Sequence, residues 1–171
     1  MKPRAFPLSL FLLPVVFGCG GGQPSVDLGD SSIGNLTWGT YHYGFSEKDP
    51  DKAMVYADKA LELYGAEARQ MQGSLADFPP TDPPEATYKY KALNDLGAIL
   101  LAKGEFLMEK GDRAGAEEAF TMLVQDFGYA QTQDNGEWNN YASPIPRDAN
   151  NFVKLSDVAK LRLADIKAGR D

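Results

Sequence analysis

The sequence is poor in the residues that most often build disulfides and metal sites. Its 171 residues include one cysteine, Cys19, and one histidine, His42. A single cysteine forms no intrachain disulfide, and this pair provides too few ligands for a transition-metal site. We therefore predict no metal and no cofactor, and we assign His42 a structural role.

Catalytic motifs are also missing. The sequence has no G-x-S-x-G nucleophile motif, no P-loop and no G-x-G-x-x-G dinucleotide motif. Glycosidases use two carboxylates that face one cleft, and the visible candidates are Glu117, Glu118, Asp134 and Glu137. On an acidic helical protein such residues usually form a solvated face. We therefore predict a protein without enzymatic activity.

Basic residues are outnumbered by acidic ones. Seventeen lysines and arginines against 24 aspartates and glutamates give a formal net charge of −7. An acidic surface repels phosphate groups, which argues against nucleic acid as a partner and against peripheral binding to anionic lipids. Attachment to a membrane would then depend on a lipid anchor.

Only one long hydrophobic run is present, and it lies at the amino terminus. Lys2 and Arg4 precede the apolar residues 6–17, a run too short to span a bilayer comfortably. This pattern is typical of a signal peptide, which we place at residues 1–18. Residues 19–34 are rich in glycine, serine and aspartate, and we interpret them as a flexible tether.

The residues Val16-Phe17-Gly18-Cys19 resemble the bacterial lipobox. The resemblance implies a lipoprotein whose mature chain begins at Cys19, which would carry a diacylglycerol and an amide-linked acyl chain such as palmitate. Several acyl chains give stable anchoring where one chain is marginal. Because Gly20 follows the cysteine, the resemblance implies a location in the bacterial cell envelope at the outer membrane.

Helical periodicity is clearest in residues 97–128. Leucines and one glycine recur at helical spacing up to Leu107, and apolar residues recur again after a turn at Lys110-Gly111-Asp112. This pattern predicts two antiparallel helices in close contact. The positions that define it are Leu100, Gly104, Leu107, Gly111, Ala116 and Phe120.

This spacing resembles the tetratricopeptide (TPR) repeat, a 34-residue helical hairpin that stacks on its neighbours. Gly128 replaces the closing proline of the repeat, and we expect it to end the second helix in the left-handed conformation. The resemblance implies an all-α fold for residues 35–171, with antiparallel hairpins of the right-handed α-α superhelix type.

A second and poorer copy of the hairpin covers residues 38–65. Asp49-Pro50 predicts a capped helix start, and this helix is expected to continue to about Asp77 with Ala53, Ala57, Ala60 and Tyr64 on one face. Residues 35–45 would form its partner helix. A strand remains an alternative there, because the segment is rich in threonine, aromatics and glycine.

The remaining chain adds two helices and one irregular segment. After the prolines of residues 79–84, Thr81 or Asp82 is expected to cap a helix that reaches Lys110. A second apolar stripe, Tyr88, Ala92, Ile99 and Phe106, predicts that this helix is central to the domain. Residues 149–168 predict a closing helix, with Phe152, Leu155, Ala159 and Ile166 on one face.

The irregular segment, residues 129–147, holds our candidate binding residues: Tyr129, Trp138, Asn139 and Tyr141. Aromatic and amide side chains together can stack on and hydrogen-bond a peptide or a sugar. The alternative is that Trp138 folds back onto the end of the hairpin. A comparable cluster of Trp38, Tyr41 and Tyr43 is predicted to belong to the core.

The TPR resemblance implies a protein–protein interaction or scaffold module whose partner is another envelope protein or a peptide segment. Because few repeats are present, self-association into a homo-oligomer would be one way to bury the exposed repeat faces. The alternative function is a TPR-like lipoprotein that binds a small solute for a transport system. An apolar cavity beside Trp38, Tyr88 and Phe106 would favour that alternative.

Overall fold

A computed structural model describes residues 27–134 and 146–170. The fold is mainly α, with one small two-stranded sheet. The elements in chain order are α1 (Ile33–Tyr41), a π-helical turn (His42–Ser46), α2 (Pro50–Gly73), a 3-10 helix (Pro84–Tyr90), α3 (Lys91–Glu109), α4 (Arg113–Asp126), β1 (Gln131–Gln133), β2 (Phe152–Lys154) and α5 (Leu155–Lys167).

The predicted hairpin is present as α3 and α4, which pack against each other. The Phe120 ring lies so close to Gly104 that a Cβ at this glycine would overlap it. Gly111 forms the turn with φ = 77°, a conformation that favours glycine. Asp112 then caps α4 by accepting a hydrogen bond from the Gly115 amide at 3.0 Å. The six pattern positions Leu100, Gly104, Leu107, Gly111, Ala116 and Phe120 thus lie within one hairpin.

The central position of α3 is confirmed. It packs on α1, α2, α4, α5 and β1, and its apolar residues are buried on more than one side, as Leu93, Leu96, Ile99 and Phe106 show.

The amino-terminal part of this helix differs from the prediction. Residues 84–90 form a 3-10 helix, and neither Thr81 nor Asp82 caps it with its side chain. The tighter 3-10 helix breaks the 3.6-residue register, so Tyr88 does not continue the buried stripe and is 73% exposed. The Thr81 hydroxyl donates instead to Asp148, at 2.9 Å.

Helices α1 and α2 form a second antiparallel pair, so the strand alternative for residues 35–45 is wrong. Asp49 caps α2 as predicted, because its carboxylate accepts from the Lys52 amide at 3.0 Å. Helix α2 ends at Gly73, four residues before the predicted end. A Cβ at Gly39 would overlap the Tyr56 ring, so this pair also crosses at a glycine.

The closing helix begins later than predicted. Phe152 lies in β2, which pairs antiparallel with β1 so that Gln133 faces Phe152 and Gln131 faces Lys154. Helix α5 begins at Leu155 and packs on α4 and α3 through Leu155, Val158 and Ala159, which are fully buried. This short sheet corrects the all-α prediction to a mainly α fold.

The role predicted for Gly128 is also corrected. The described glycines with a left-handed backbone are Gly29, Gly111 and Gly169, and Gly128 is not among them. A Cβ at Gly128 would lie 2.9 Å from the Val124 carbonyl oxygen. The chain therefore needs a glycine there because of close approach to the preceding turn.

The contact between Gly104 and Phe120 leads to a stability prediction. Gly104→Ala should lower the free energy of unfolding by about 1–3 kcal/mol, because the added methyl group overpacks the helix crossing. Gly73→Ala is the matched control: nothing lies within 4 Å of a Cβ there, and alanine favours the helix by up to about 1 kcal/mol. Urea unfolding followed by circular dichroism measures both variants. Equal or greater stability of Gly104→Ala would contradict the close crossing.

Candidate binding cleft

An open cleft of about 410 Å³ lies where the carboxyl-terminal ends of α2 and α4 meet the start of α5. We call it the α5 cleft. Helix α2 contributes Gln72, and α4 contributes Val124 and Gln125. The other walls come from the chain after α2, from the chain after α4 and from the junction of β2 with α5.

One wall of the α5 cleft is aromatic. The rings of Phe78 and Tyr129 meet edge to face, with centroids 5.4 Å apart and an interplanar angle of 68°. Two hydrogen bonds fix Tyr129: its hydroxyl donates to the Ala76 carbonyl at 3.1 Å, and its amide donates to Gln72 Oε1 at 2.8 Å. Both rings are half-buried, so this wall is apolar, rigid and accessible.

The opposite side is polar and carries charge of both signs. Lys154 lies at the end of β2 with its Nζ 4.2 Å from the centre of the Phe78 ring. One turn into α5, Lys160 Nζ lies 2.9 Å from an Asp157 oxygen. Ser156 lies between these residues in the sequence and is 3% exposed. Two lysines and one aspartate give this side a net charge of +1 on an otherwise acidic chain.

Asp148 ties the proline-rich connector to the start of β2. Its carboxylate accepts from the Thr81 hydroxyl at 2.9 Å, from the Asn150 amide at 2.9 Å and from the Phe152 amide at 2.8 Å. Asp148 is exposed. The desolvation that remains acts to raise the pKa of this carboxyl, but the hydrogen bonds from Phe152, Thr81 and Asn150 outweigh it, and the pKa lies below its ordinary value. These bonds position β2 and hence Lys154.

The candidate catalytic carboxylates have other roles or lie elsewhere. Asp134 is buried and forms an ion pair with Arg147. Glu117 and Glu118 are exposed on α4, and Glu137 lies outside the described residues. Within residues 27–134 and 146–170, no three histidine, cysteine, aspartate or glutamate side chains cluster in a way that would hold a metal ion.

Of the four predicted binding residues, the structure places Tyr129 in the α5 cleft. Trp138, Asn139 and Tyr141 lie outside the described residues, as does Cys19. Sequence reasoning missed Phe78, Lys154, Ser156 and Lys160. Phe78 comes from a separate part of the chain, and no spacing in the sequence links it to Lys154, Ser156 and Lys160.

The predicted burial of the amino-terminal aromatic cluster is wrong for Trp38, which is 55% exposed. The buried face of α1 is formed by Ile33, Leu36, Gly39 and Thr40, and Trp38 points away from it. Its ring stacks on His42 with centroids 4.4 Å apart. Tyr41 and Tyr43 are half-buried.

The chain matches no family model, no curated protein and no solved structure. In the part of the chain that the structure describes, no helix has both the length and the hydropathy needed to cross a bilayer.

The hydrogen bonds of Asp148 predict a pH-dependent contribution to stability. Because its folded pKa is lowered, the contribution is fully present above the unfolded pKa of about 3.8 and is lost as the pH falls through the folded value. Because Asp148 is exposed and solvent screens its interactions, Asp148→Ala should lower the free energy of unfolding by about 0.5–1 kcal/mol at pH 7. The difference from the wild type should shrink as the pH falls below about 3.8.

Denaturant unfolding at pH 7 and pH 3 measures this difference. Glu67→Ala is a suitable control, because Glu67 is an exposed carboxylate on α2. If Asp148→Ala and Glu67→Ala have the same small effect at both pH values, Asp148 does not join the connector to β2 in the way described.

Proposed function

We propose that this protein is a non-enzymatic, lipid-anchored interaction module of the bacterial cell envelope. Its TPR-like helical domain binds a polypeptide segment of another envelope protein in the α5 cleft. Lipidation at Cys19 attaches the domain to the outer membrane.

The TPR-like arrangement is supported by two pairs of helices that pack in the same way, with an aromatic ring against a helix glycine. In the α3–α4 pair the Phe120 ring packs directly on Gly104, and in the α1–α2 pair the Tyr56 ring packs directly on Gly39. In both pairs the missing side chain lets the two helices approach closely. Helix α2 also packs on α3, so each pair buries its apolar face against the other. This mutual burial is what stacked helical repeats require.

The observation that carries the binding proposal is the composition of the α5 cleft. It combines half-buried rings of Phe78 and Tyr129 with the amides of Gln72 and Gln125 and the flexible ammonium group of Lys160. Aromatic rings supply contact area, and amide and charged groups hydrogen-bond a polypeptide backbone or side chains. The open shape suits a chain that passes along the cleft.

The alternative of a small solute-binding protein is less well supported. Phe106 is fully buried, the Phe45 ring lies 4.8 Å from it, and a Cβ at Gly44 would overlap it. Protein atoms therefore fill the space beside Phe106. Trp38 and Tyr88 are mostly exposed to solvent. A filled core with outward-facing aromatics favours contact with a macromolecule over enclosure of a solute.

The tether sets how far the domain reaches from the membrane. Residues 28–31 are held against the domain, because Asn35 donates to the Leu28 carbonyl at 2.8 Å and Tyr64 donates to the Ser31 carbonyl at 3.0 Å. The predicted tether of residues 19–34 therefore shortens to residues 19–27 if Cys19 is lipidated, and fully extended these span at most about 30 Å. The acidic domain would be repelled by anionic lipid, which favours the extended end of this range. The near edge of the domain would therefore lie within about 30 Å of the bilayer.

Site-specific photocrosslinking tests the binding proposal. A photoreactive phenylalanine at Gln125 lies in the cleft, and the same group at Glu117 lies two turns earlier on α4. In intact cells, the Gln125 position should yield a discrete crosslinked polypeptide that the Glu117 position does not. Equal crosslinking from both positions, or none from Gln125, would contradict binding in the cleft.

Lipidation is tested separately. Cys19→Ser should abolish incorporation of labelled palmitate and remove the protein from the outer-membrane fraction, because no acyl chain is left to anchor it. Fractionation and autoradiography against the wild type measure both effects. Palmitate labelling that persists in Cys19→Ser would overturn the assignment of the anchor.

A further inference from the structure

The outer side of α1 and of the π-helical turn that follows it is aromatic. Trp38 is 55% exposed and Phe45 is 40% exposed, although both side chains are large and apolar. The His42 ring stacks on Trp38 with centroids 4.4 Å apart, and the Tyr41 ring lies 5.4 Å from the Phe45 ring. We call these four residues the α1 face. Adjoining exposed apolar side chains mark a surface that meets another apolar surface.

The segment that carries the α1 face has no charge of its own. Residues 33–46 contain no aspartate, glutamate, lysine or arginine, whereas these residues make up 24% of the chain. On an acidic protein, an uncharged segment of this length is the part that a bilayer of zwitterionic lipid can approach without losing the hydration of charged groups.

Charged groups border the α1 face and balance one another. Lys52 Nζ lies 3.7 Å from the centre of the Tyr43 ring, which itself packs edge-on against Trp38. Lys91 lies beside the start of α1 and pairs with Asp95, and Glu47 lies 3.5 Å from His42 Nε2. The two lysines and two carboxylates sum to zero charge. Such a border suits headgroups that carry charge of both signs, and lysine stems can lie along apolar surface while their ammonium groups stay in water.

The chain leaves the domain next to this face. Asn35 donates to the Leu28 carbonyl at 2.8 Å, and Asn35 and Trp38 are neighbours on the helix surface because they are three residues apart. If Cys19 is lipidated, residues 19–27 join the acyl chains to this point and span at most about 30 Å. The anchor would therefore hold the α1 face close to the bilayer and raise its effective concentration there.

The polar groups of the α1 face favour lipid over a polypeptide or a sugar. The Tyr41 hydroxyl donates to the Ala98 carbonyl at 3.3 Å, and His42 Nε2 faces Glu47. A polypeptide backbone or a sugar would lose water from its own polar groups on contact with these rings and would find few partners. Acyl chains carry no such groups, and tryptophan and tyrosine are enriched where lipid meets water.

We propose that the α1 face docks on the surface of the bilayer that holds the lipid anchor. Trp38 and Phe45 lie among the headgroups and the first carbons of the acyl chains, and Lys52 and Lys91 lie at the level of the phosphates. The domain then has one fixed orientation on the membrane. This inference rests on the lipidation in the proposed function and adds the surface by which the domain meets the lipid.

Quenching by brominated lipid tests the docking. Trp38 and Trp138 are the two tryptophans of the chain, so Trp138→Phe leaves Trp38 as the single emitter. The lipidated protein is reconstituted in phosphatidylcholine vesicles with or without bromine near the headgroup end of one acyl chain. Bromine should lower the Trp38 emission at least about twofold, because an interfacial helix buries its apolar face about 5–10 Å deep.

A tryptophan on another helix is the matched control. Leu161 is an apolar side chain that is 37% exposed on α5, a helix that packs on α3 and α4. Leu161→Trp, combined with Trp38→Phe and Trp138→Phe, should keep its emission in brominated vesicles. Equal quenching at both positions would overturn the inference. So would unquenched Trp38 emission, the result expected if a second copy of the chain or a polypeptide covers the face.

A single added charge tests the same surface without removing a ring. Gly34 lies one turn before Trp38, and a Cβ there meets only the end of the Lys91 side chain, at 3.9 Å. Gly34→Glu should reduce the bromine quenching of Trp38 at least about twofold, because a carboxylate resists transfer into the apolar region. Ala114→Glu adds the same charge at the second residue of α4, where the side chain is exposed, and should leave quenching unchanged.

Circular dichroism checks that both glutamate variants are folded. If Gly34→Glu and Ala114→Glu are quenched to the same extent, α1 does not lie on the bilayer and the inference falls.

The failure of this inference is distinguishable from the failure of the proposed function, because palmitate labelling reports the anchor and quenching reports the face. If the protein incorporates palmitate and Trp38 is not quenched, the lipidated module stands and the docking falls. If palmitate is not incorporated and vesicles added to the protein still quench Trp38, the α1 face binds lipid by itself and the proposed anchor falls.

Discussion

The close packing of an aromatic ring on a helix glycine is the constraint on which this fold depends. At Gly104 the Phe120 ring occupies the space that a Cβ would need, so α3 and α4 approach along their backbones. The same arrangement brings Tyr56 onto Gly39 and Phe106 onto Gly44. Each glycine within a helix costs about 1 kcal/mol in helix propensity, and the buried ring offsets this by about 1.5–3 kcal/mol. Because the ring fits only where the side chain is missing, each contact also fixes the register of its helices.

The elements that sequence reasoning predicted correctly are those specified by local signals. The turn at Gly111 needs a left-handed residue, the start of α2 carries an aspartate followed by a proline, and the α3–α4 pair repeats apolar residues at helical spacing. The errors fall where distant partners decide the structure. The 3-10 helix follows a connector held by Asp148, which is 67 residues from Thr81. Phe152 leaves the predicted helix because β2 pairs with β1.

The candidate site was less predictable for a related reason. Tyr129 was identified because aromatics stand out in a polar segment, and the structure places it in the cleft. Phe78 follows the end of α2, whereas Lys154, Ser156 and Lys160 follow the irregular segment. Nothing in their spacing links Phe78 to the others. Ser156 in particular looks like an ordinary polar residue in the first turn of a helix, and its burial becomes visible only in three dimensions.

The α5 cleft is framed by side chains whose hydrogen bonds and ion pairs are made within the fold. The bidentate contact of Arg162 with Glu105, at 2.7 Å for both bonds, fastens α5 to α3. The Tyr129 hydroxyl donates to the Ala76 carbonyl, and the Asp148 carboxylate accepts from Thr81 and Phe152. No side chain caps the start of α5 or of α3, but no buried side-chain polar atom of the described residues lacks a hydrogen-bond partner. The walls of the cleft are therefore held in place by contacts within the fold, which lowers the ordering cost of binding a partner there.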